Sequence, residues 1–451
     1  MELIKKHKMH ILLPVILVVI TLIGSPLFAS LQGGSSAARH CTLGQQYLND
    51  LDYAAAILEF SNAITLDPTN TEARVGLSQA YSLSGQPDFA AQVLQDVLDE
   101  DRLDPDLAEA LIDIYVAAKK YNSAVRLVSK LIDQTDDERY YERLRELLQI
   151  IYSDPHPYSV GTDHWLLYRD SRVQSMGYNT LGQLGTTNDL GLLDSYQPDF
   201  ANAMFPGTAK SVYCAGRTSY VVDVNNNLWA AGENRWGQMG LSYGTTLPEG
   251  GWVQLTDSGD VARVGGTNGV LFVLKYDGSL WQSGADVGQQ LELCREFDTV
   301  LRLSSYNGTV YVLTGEGKLY SSYYDNGFHW SVVSNDVTDF TVSSQGVIWL
   351  NSDGCLNGQY GFSVPDTWLW MDDGSIKPSF CVERMAANGN VTLFVDSDGK
   401  LLALDGSGYI SEVTVPSAVI SMYAEQNTIT AALEDGTVLV WSPYESNYTT
   451  Y

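Results

Sequence analysis

Basic side chains are scarce in this chain: 26 Lys and Arg stand against 54 Asp and Glu, a formal net charge of −28. Nucleic acid and anionic lipid are both held through positive patches, so both are repelled by such a polyanion. Histidine is rarer still, with six residues. His7, His10 and His40 lie near the N-terminus, and His156, His164 and His329 have no partner at a fixed spacing. The five cysteines (Cys41, Cys214, Cys294, Cys355, Cys381) are scattered and odd in number, with no Cys-x-x-Cys pair and no Cys/His cluster at metal-ligand spacing. They read as isolated thiols, mostly small buried apolar residues, with one disulfide in the C-terminal region as the alternative. A nucleophile elbow, a phosphate loop and an HExxH helix are all missing. No catalytic, cofactor-binding or metal-binding residue is therefore assigned.

What the chain has is apolar content and periodicity. Hydrophobic residues make up 45%, ample for packed cores, and 451 residues suggest about three domains. Residues 1–40 form an anchor or signal segment. Lys5, Lys6 and Lys8 precede an uncharged run over residues 11–31, long enough to span a bilayer as a helix. The positive flank stays in the cytoplasm, which sends the bulk outside. The small-residue pairs Ser35/Ala37 and Ser36/Ala38 suit a signal peptidase but lie beyond the apolar core, so an uncleaved single-pass membrane anchor is favoured over secretion after cleavage.

In residues 41–152 glycine is rare and apolar residues recur at helical spacing. Leu43, Gly44, Tyr47, Tyr53, Ala56, Phe60, Ala63, Leu66 and Pro68 have the offsets of the tetratricopeptide family, which this region resembles. Gly44 and Ala56 are small where paired helices touch, Tyr47 and Phe60 fill the groove, and Asp67-Pro68 ends the second helix. A second copy runs from Glu72 through Tyr81, Phe89, Ala90 and Leu94 to Asp104-Pro105, and a third carries Ala108, Tyr115, Tyr121, Ala124 and Val128. A last helix at about 137–151, rich in Arg and Glu, suits a polar cap on the stack. The family binds peptides in its concave groove. Basic groove residues for acidic tails are scarce here, which leaves both a bound partner and a mere spacer open.

Ser153–Pro157 reads as a short linker, and residues 153–451 as an all-β domain. Five turns share one pattern: Tyr276-Asp277-Gly278, Gly315-Glu316-Gly317, Ser352-Asp353-Gly354, Ser397-Asp398-Gly399 and Glu434-Asp435-Gly436. Seventeen residues before each glycine stand Val261, Val300, Val337, Val382 and Val419, and fourteen before stand Val264, Leu303, Phe340, Met385 and Met422. Asn226 takes the glycine place in a sixth unit, with Ala209 and Val212 in register, and Ser171 takes it in a first. Each unit reads strand, turn, strand, Asp-Gly turn, strand, because the flanking segments are β-branched and aromatic. Such units bury their faces only by repetition around an axis. The first lacks a clear leading strand pair, so the stretch after Gly436 is expected to complete a blade with it and remove an open edge.

Two stretches, Gly177–Gly185 and Gly232–Gly240, fit G-x-N-x-x-G-Q-x-G, and Gly284–Gln289 is a shortened third. They resemble the signature of the RCC1 (regulator of chromosome condensation) family, over roughly residues 158–441; later units keep the turn and lose the loop. That resemblance implies a seven-bladed propeller. Trp229, Trp281 and Tyr320 follow the turn at a repeated position and read as blade packing. Tyr178 and Trp236, inside the glycine-flanked loops, are the candidate partner-binding residues. Asp396-Ser397-Asp398-Gly399 is only faintly like a calcium loop, since it lacks the downstream bidentate Glu. The sequons at Asn307, Asn390 and Asn447 matter only in a host that glycosylates secreted proteins.

The chain as a whole is expected to be a transmembrane helix, a tetratricopeptide-like solenoid and a seven-bladed RCC1-like propeller. The expected function is a non-catalytic, membrane-anchored extracytoplasmic scaffold for a protein or cell-envelope partner. A hydrolase with a site in the propeller channel is the alternative. Guanine-nucleotide exchange, which the RCC1 resemblance also implies, is disfavoured by the anchor and by the lack of a basic tail.

Overall fold

The computed structural model describes residues 33–98, 102–186, 196–242, 251–324, 328–358, 363–442 and 448–451. The apolar run 11–31 and the sequon Asn447 lie outside them. Within them no helix is long and apolar enough to cross a membrane. The chain forms two compact units, Met1–Ala118 and Lys119–Tyr451.

The first unit holds helices α1 (Gly33–Asn49), α2 (Tyr53–Leu66), α3 (Thr71–Leu83), α4 (Pro87–Gln95) and α5 (Pro105–Ala117). The starts of α2, α3 and α5 have local causes. Asp52 accepts from the Ala55 amide at 3.1 Å and Asn70 from that of Ala73 at 2.8 Å, relieving backbone donors that have no helical partner. Asp67 ends α2 in extended geometry ahead of Pro68, as expected. Asp104-Pro105, at which the second repeat copy closes, starts the next helix. Pro105 opens α5 at its first position, where no amide is needed, and Asp104 caps the Asp106 and Leu107 amides.

Phe60 is not a groove residue. It is 1% exposed, and a Cβ on Gly44 or Gly76 would lie 2.9 or 2.3 Å from its ring. The ring therefore bolts α2 between α1 and α3, while Tyr47 stays on the surface. Phe60→Ala should cost this unit about 3–5 kcal/mol, read from the urea midpoint of the helical signal.

The second unit begins with α6 (Tyr121–Thr135) and α7 (Glu138–Ile151), followed by β-sheets over residues 158–202, 209–254, 261–293, 300–334, 339–377, 382–412 and 419–450. These seven sheets are the blades, numbered 1 to 7 in chain order. Their innermost strands pack against one another in sequence, and blade 1 meets blade 7, which makes a seven-bladed propeller.

All seven turn positions have positive φ: Ser171, Asn226, Gly278, Gly317, Gly354, Gly399 and Gly436. In blades 2 to 7 the loop has three residues. In blade 3, for example, the Gly278 amide bonds the Lys275 carbonyl and the Lys275 amide bonds the Ser279 carbonyl, both at 3.0 Å. This is a type I turn closed by a left-handed residue, which explains why glycine or asparagine recurs there. In blades 3 and 7 the Asp side chain ahead of it caps the turn, as when Asp277 accepts from the Ser279 amide at 2.9 Å.

Three expectations change. Each blade has a fourth, outer strand, and blade 5 a fifth. Blade 1 has its own leading pair, Tyr158–Val160 and His164–Arg169. Finally, the C-terminal strand Thr449–Thr450 stays in blade 7, paired to Val438–Trp441. Instead of a shared strand, side chains close the ring: Tyr451 stacks on Tyr158 at 5.6 Å and meets Phe200 edge-on, over Val438, Val440 and Leu167.

Candidate functional site

The residues that the two long loops share build the loops themselves. Asn179, wholly buried, accepts from the Leu184 amide at 2.9 Å and donates to the Thr186 carbonyl at 3.0 Å. Gln183, equally buried, folds back onto the Leu181 amide at 2.9 Å. Blade 2 repeats the wiring: Asn234 accepts from Met239 at 3.1 Å, and Gln238 from the Trp236 amide at 2.8 Å. The leading glycines Gly177, Gly232 and Gly284 have φ of 111°, 114° and 125°. A Cβ there would lie 2.4, 2.6 and 2.1 Å from the carbonyl oxygen of Asp163, Arg217 and Gly269. The signature is thus a clamp between the third strand and the inner turn of the same blade.

What the clamps leave over is aromatic. Tyr178 is 52% and Trp236 46% exposed. Tyr178 pairs with Tyr196, itself 53% exposed, at 5.0 Å. Trp236 lies against Gly269 of blade 3. The two candidates sit on successive loops that abut: Gln183 packs on Gly232, and Gln289 of blade 3 packs on Gly237. Tyr196 is not marked in the sequence, because its strand Tyr196–Asn202 carries no repeat signal.

The opposite face is covered over blades 3 to 5. Asp-Gly turns join second strands to third strands, so the loops after the third strands leave from the other side of the disc. Helices α6 and α7 pack on the Asp-Gly side. Asn122 donates to the Thr338 carbonyl at 2.6 Å, and Arg126 pairs with Asp336 at 2.9 Å. Leu148 lies beside Gly278, Ser129 beside Gly315, and the Tyr152 hydroxyl donates to the Val300 carbonyl. The last helix is therefore not a solvent-facing cap. Its Arg and Glu residues form exposed ion pairs, Arg145–Glu142 at 2.7 Å among them, while Leu147 and Leu148 are buried. By sequence pattern these two helices continue the repeats; by contact they belong with the propeller.

The linker Ser153–Pro157 has more structure than its sequence suggests. Asp154 pairs with Arg384 of blade 6, and the Pro155 carbonyl accepts from Ser421 of blade 7 at 2.7 Å. His156 is stacked between Tyr423, at 3.8 Å, and Tyr213, at 4.4 Å. Its Nδ1 lies 2.8 Å from the Val212 carbonyl and its Nε2 3.2 Å from Glu425. Glu425 also accepts from Ser159 at 2.6 Å. A signal for this was present: fifteen residues before each turn position stand His156, Ser211, Arg263, Arg302, Asp339, Arg384 and Ser421. These innermost polar residues face one another, as in the Arg302–Asp339 pair. Asn427 reaches across the axis to Tyr306 at 3.2 Å and to the Ser344 amide at 2.7 Å.

One trio invites a catalytic interpretation and fails it. His164 Nε2 lies 2.9 Å from Ser219 Oγ and Nδ1 3.6 Å from Asp163. Ser219, however, spends its proton on the Gln183 carbonyl, so it accepts from Nε2–H, and the ring has no lone pair aimed at the hydroxyl. Both His164 and Ser219 are wholly buried. Burial holds the His164 pKa below its ordinary value, although Asp163 opposes the shift. The folded state therefore refuses a proton that the unfolded chain accepts below a pH of about 6.5. Stability is full above that pH and falls as pH drops, by at most about 1.4 kcal/mol per unit for one proton. Urea midpoints between pH 7 and 5 should show this slope in the wild type and a flatter one in His164→Gln.

Among the described residues no group of three or more His, Cys, Asp or Glu side chains is placed to hold a metal ion. The five thiols are unpaired, with Cys41, Cys294 and Cys355 buried and Cys381 exposed. Trp229 bonds Asp223 at 3.0 Å and Tyr320 meets Phe297 edge-on at 5.0 Å, so both serve blade packing.

The tetratricopeptide repeat family matches residues 50–111 and 83–148. Mouse tetratricopeptide repeat protein 21A is 24% identical over 95 residues, which is 21% of this chain and 7% of that protein. The chain thus spans only a small part of the curated relative it matches. Human WBSCR16 superposes with a TM-score of 0.49 at 15% identity, covering 61% of this chain and 86% of that one. Prp20p of Saccharomyces cerevisiae gives 0.47 at 13% identity, covering 67% and 88%. Both scores fall below 0.5, so neither decides the family of the propeller.

Proposed function

We propose that the chain is a non-catalytic interaction scaffold whose RCC1-like propeller grips a protein or cell-envelope partner on its long-loop face. The observation that carries this is the exposure of Tyr178, Tyr196 and Trp236 on interlocked loops, on the side opposite α6 and α7. Half-exposed Tyr and Trp held on a rigid base lose little entropy on binding and supply large contact area. Helical repeats in the same chain fit a second protein contact. The alternative, a hydrolase in the channel, finds little support, because the axis is occupied by the His156 stack and by Asn427. On this reading the run 11–31 anchors the chain and places both units outside the cell. Protease added to intact cells should then remove the propeller from the full chain. Survival of the propeller until the membrane is permeabilised would place it inside. Affinity capture should lose the specific partner in Tyr178→Ser/Trp236→Ser; capture unchanged by that pair would refute the loop-face assignment.

A further inference from the structure

Blade 5 differs from the other six. The spacing from Gly354 to Gly399 is 45 residues, against 39, 37 and 37 for the other intervals between the five glycine turns. The extra length is a hairpin: Leu369–Trp370 pairs with Ile376–Lys377 across a turn at Gly374, where the Met371 amide bonds the Ser375 carbonyl at 2.9 Å. Ile376 joins the sheet through Leu356, which leaves Leu369–Trp370 as the fifth, outermost strand.

The root of this hairpin is fixed. Trp368 is 4% exposed, edge-on to Phe380 and Phe394, in a core that includes Ile410 of blade 6. The Ser363 amide bonds the Gly406 carbonyl of the same neighbour at 3.1 Å. The tip faces water. Leu369 is 65%, Trp370 63% and Met371 43% exposed, and Tyr409 of blade 6, next to Ile410, is 68% exposed. Three consecutive exposed apolar residues, the outermost strand Leu369–Trp370 and Met371 after it, leave this edge unblunted, whereas edges are normally blunted by charge or proline.

The charges around the tip are of one sign. Asp366, Asp372 and Asp373 are exposed, while the hairpin's one cation, Lys377, is turned onto the Asp353 carbonyl. Ser375 donates to Asp373 through its hydroxyl at 2.6 Å and its amide at 2.9 Å, which fixes the carboxylate beside the strand. A second copy docked here would set aspartates against aspartates, and an anionic membrane would meet the same repulsion. A segment with an apolar centre and basic flanks satisfies both the exposed side chains and the carboxylates.

We propose that the blade 5 hairpin is a second docking surface, which takes an extended protein segment with an apolar centre and lysine or arginine flanks, laid along Leu369–Trp370. It is separate from the long-loop face. The test uses the full chain in detergent and two fluorescein-labelled peptides, Lys-Lys-Val-Ile-Val-Phe-Lys-Lys and the same sequence with every Lys replaced by Glu. Fluorescence anisotropy should show salt-sensitive binding of the lysine peptide at least tenfold tighter than the glutamate peptide. Leu369→Ser/Trp370→Ser should weaken it about tenfold or more. Asp372→Lys/Asp373→Lys, which leaves the apolar strand in place, should reverse the preference, so a folding defect cannot imitate the result. Tyr178→Ser/Trp236→Ser should leave it unchanged, which keeps this surface distinguishable from the loop face. Equal binding of both peptides, or no effect of the Leu369/Trp370 pair, overturns the proposal. So does concentration-dependent dimerisation, or binding to phosphatidylserine vesicles, that the same pair abolishes.

Discussion

Gly284→Ala should lower the stability of the second unit by about 4 kcal/mol, whereas Gly436→Ala should cost about 1 kcal/mol. Both glycines have positive φ, 125° and 88°, so both variants strain the backbone. Only at Gly284 would the added Cβ meet main chain, 2.1 Å from the Gly269 carbonyl oxygen; at Gly436 it meets nothing within 4 Å. A carbonyl in the inner turn cannot rotate away without breaking the bond it accepts from the Ala285 amide at 2.9 Å. The difference of about 3 kcal/mol between the two variants therefore isolates the close approach from the conformational strain. Urea unfolding followed by tryptophan fluorescence measures it. Equal losses would mean that the clamp between third strand and inner turn is not what the loop glycines provide.

His156→Ala should cost about 3 kcal/mol. The ring contributes two aromatic stacks and a bond to Val212, and its removal leaves Glu425 in a half-buried position with Ser159 and the Val160 amide as remaining donors. The loss should be felt at the seam. Blade 1 and blade 7 meet through Tyr158, Tyr423 and Tyr451, and the Tyr423 hydroxyl donates to the Tyr158 carbonyl at 2.8 Å. Amide exchange in the strands 158–160 and 419–425 should accelerate more than in blades 3 and 4. Glu425→Gln, which keeps an acceptor for the ring and for Ser159, should cost markedly less. A His156→Ala variant within about 0.5 kcal/mol of wild type would mean that the linker is only a connection.

The turn register was fully legible because backbone geometry enforces it: a left-handed residue closes each hairpin, and few residue types adopt that conformation cheaply. The outer strands were not. Strands such as Gly288–Leu293 bury no residue and carry too short an apolar alternation, Leu291 and Leu293, to betray them. The self-contained first blade escaped notice because its inner strand is only three residues long. His156 was legible only to a count from the turn, since its partners Tyr213, Tyr423 and Glu425 come from strands far apart in the chain. The roles of α6 and α7 were hidden for a different reason. A repeat pattern shows which face of a helix is apolar but not what lies against it, and here the propeller replaces the next repeat. Tyr178 and Trp236 were found because they interrupt glycine-rich loops, whereas Tyr196 and the Leu369–Met371 tip lie in segments without a motif.

The claim on which the functional account rests is that the partner sits on the long-loop face. The direct measurement is site-specific photo-crosslinking of the full chain in the cells that express it, with benzoylphenylalanine at position 178, 236 or 435. The account predicts adducts to one and the same protein or envelope component from positions 178 and 236, and none from position 435 on the Asp-Gly side. Adducts confined to position 435 would contradict it.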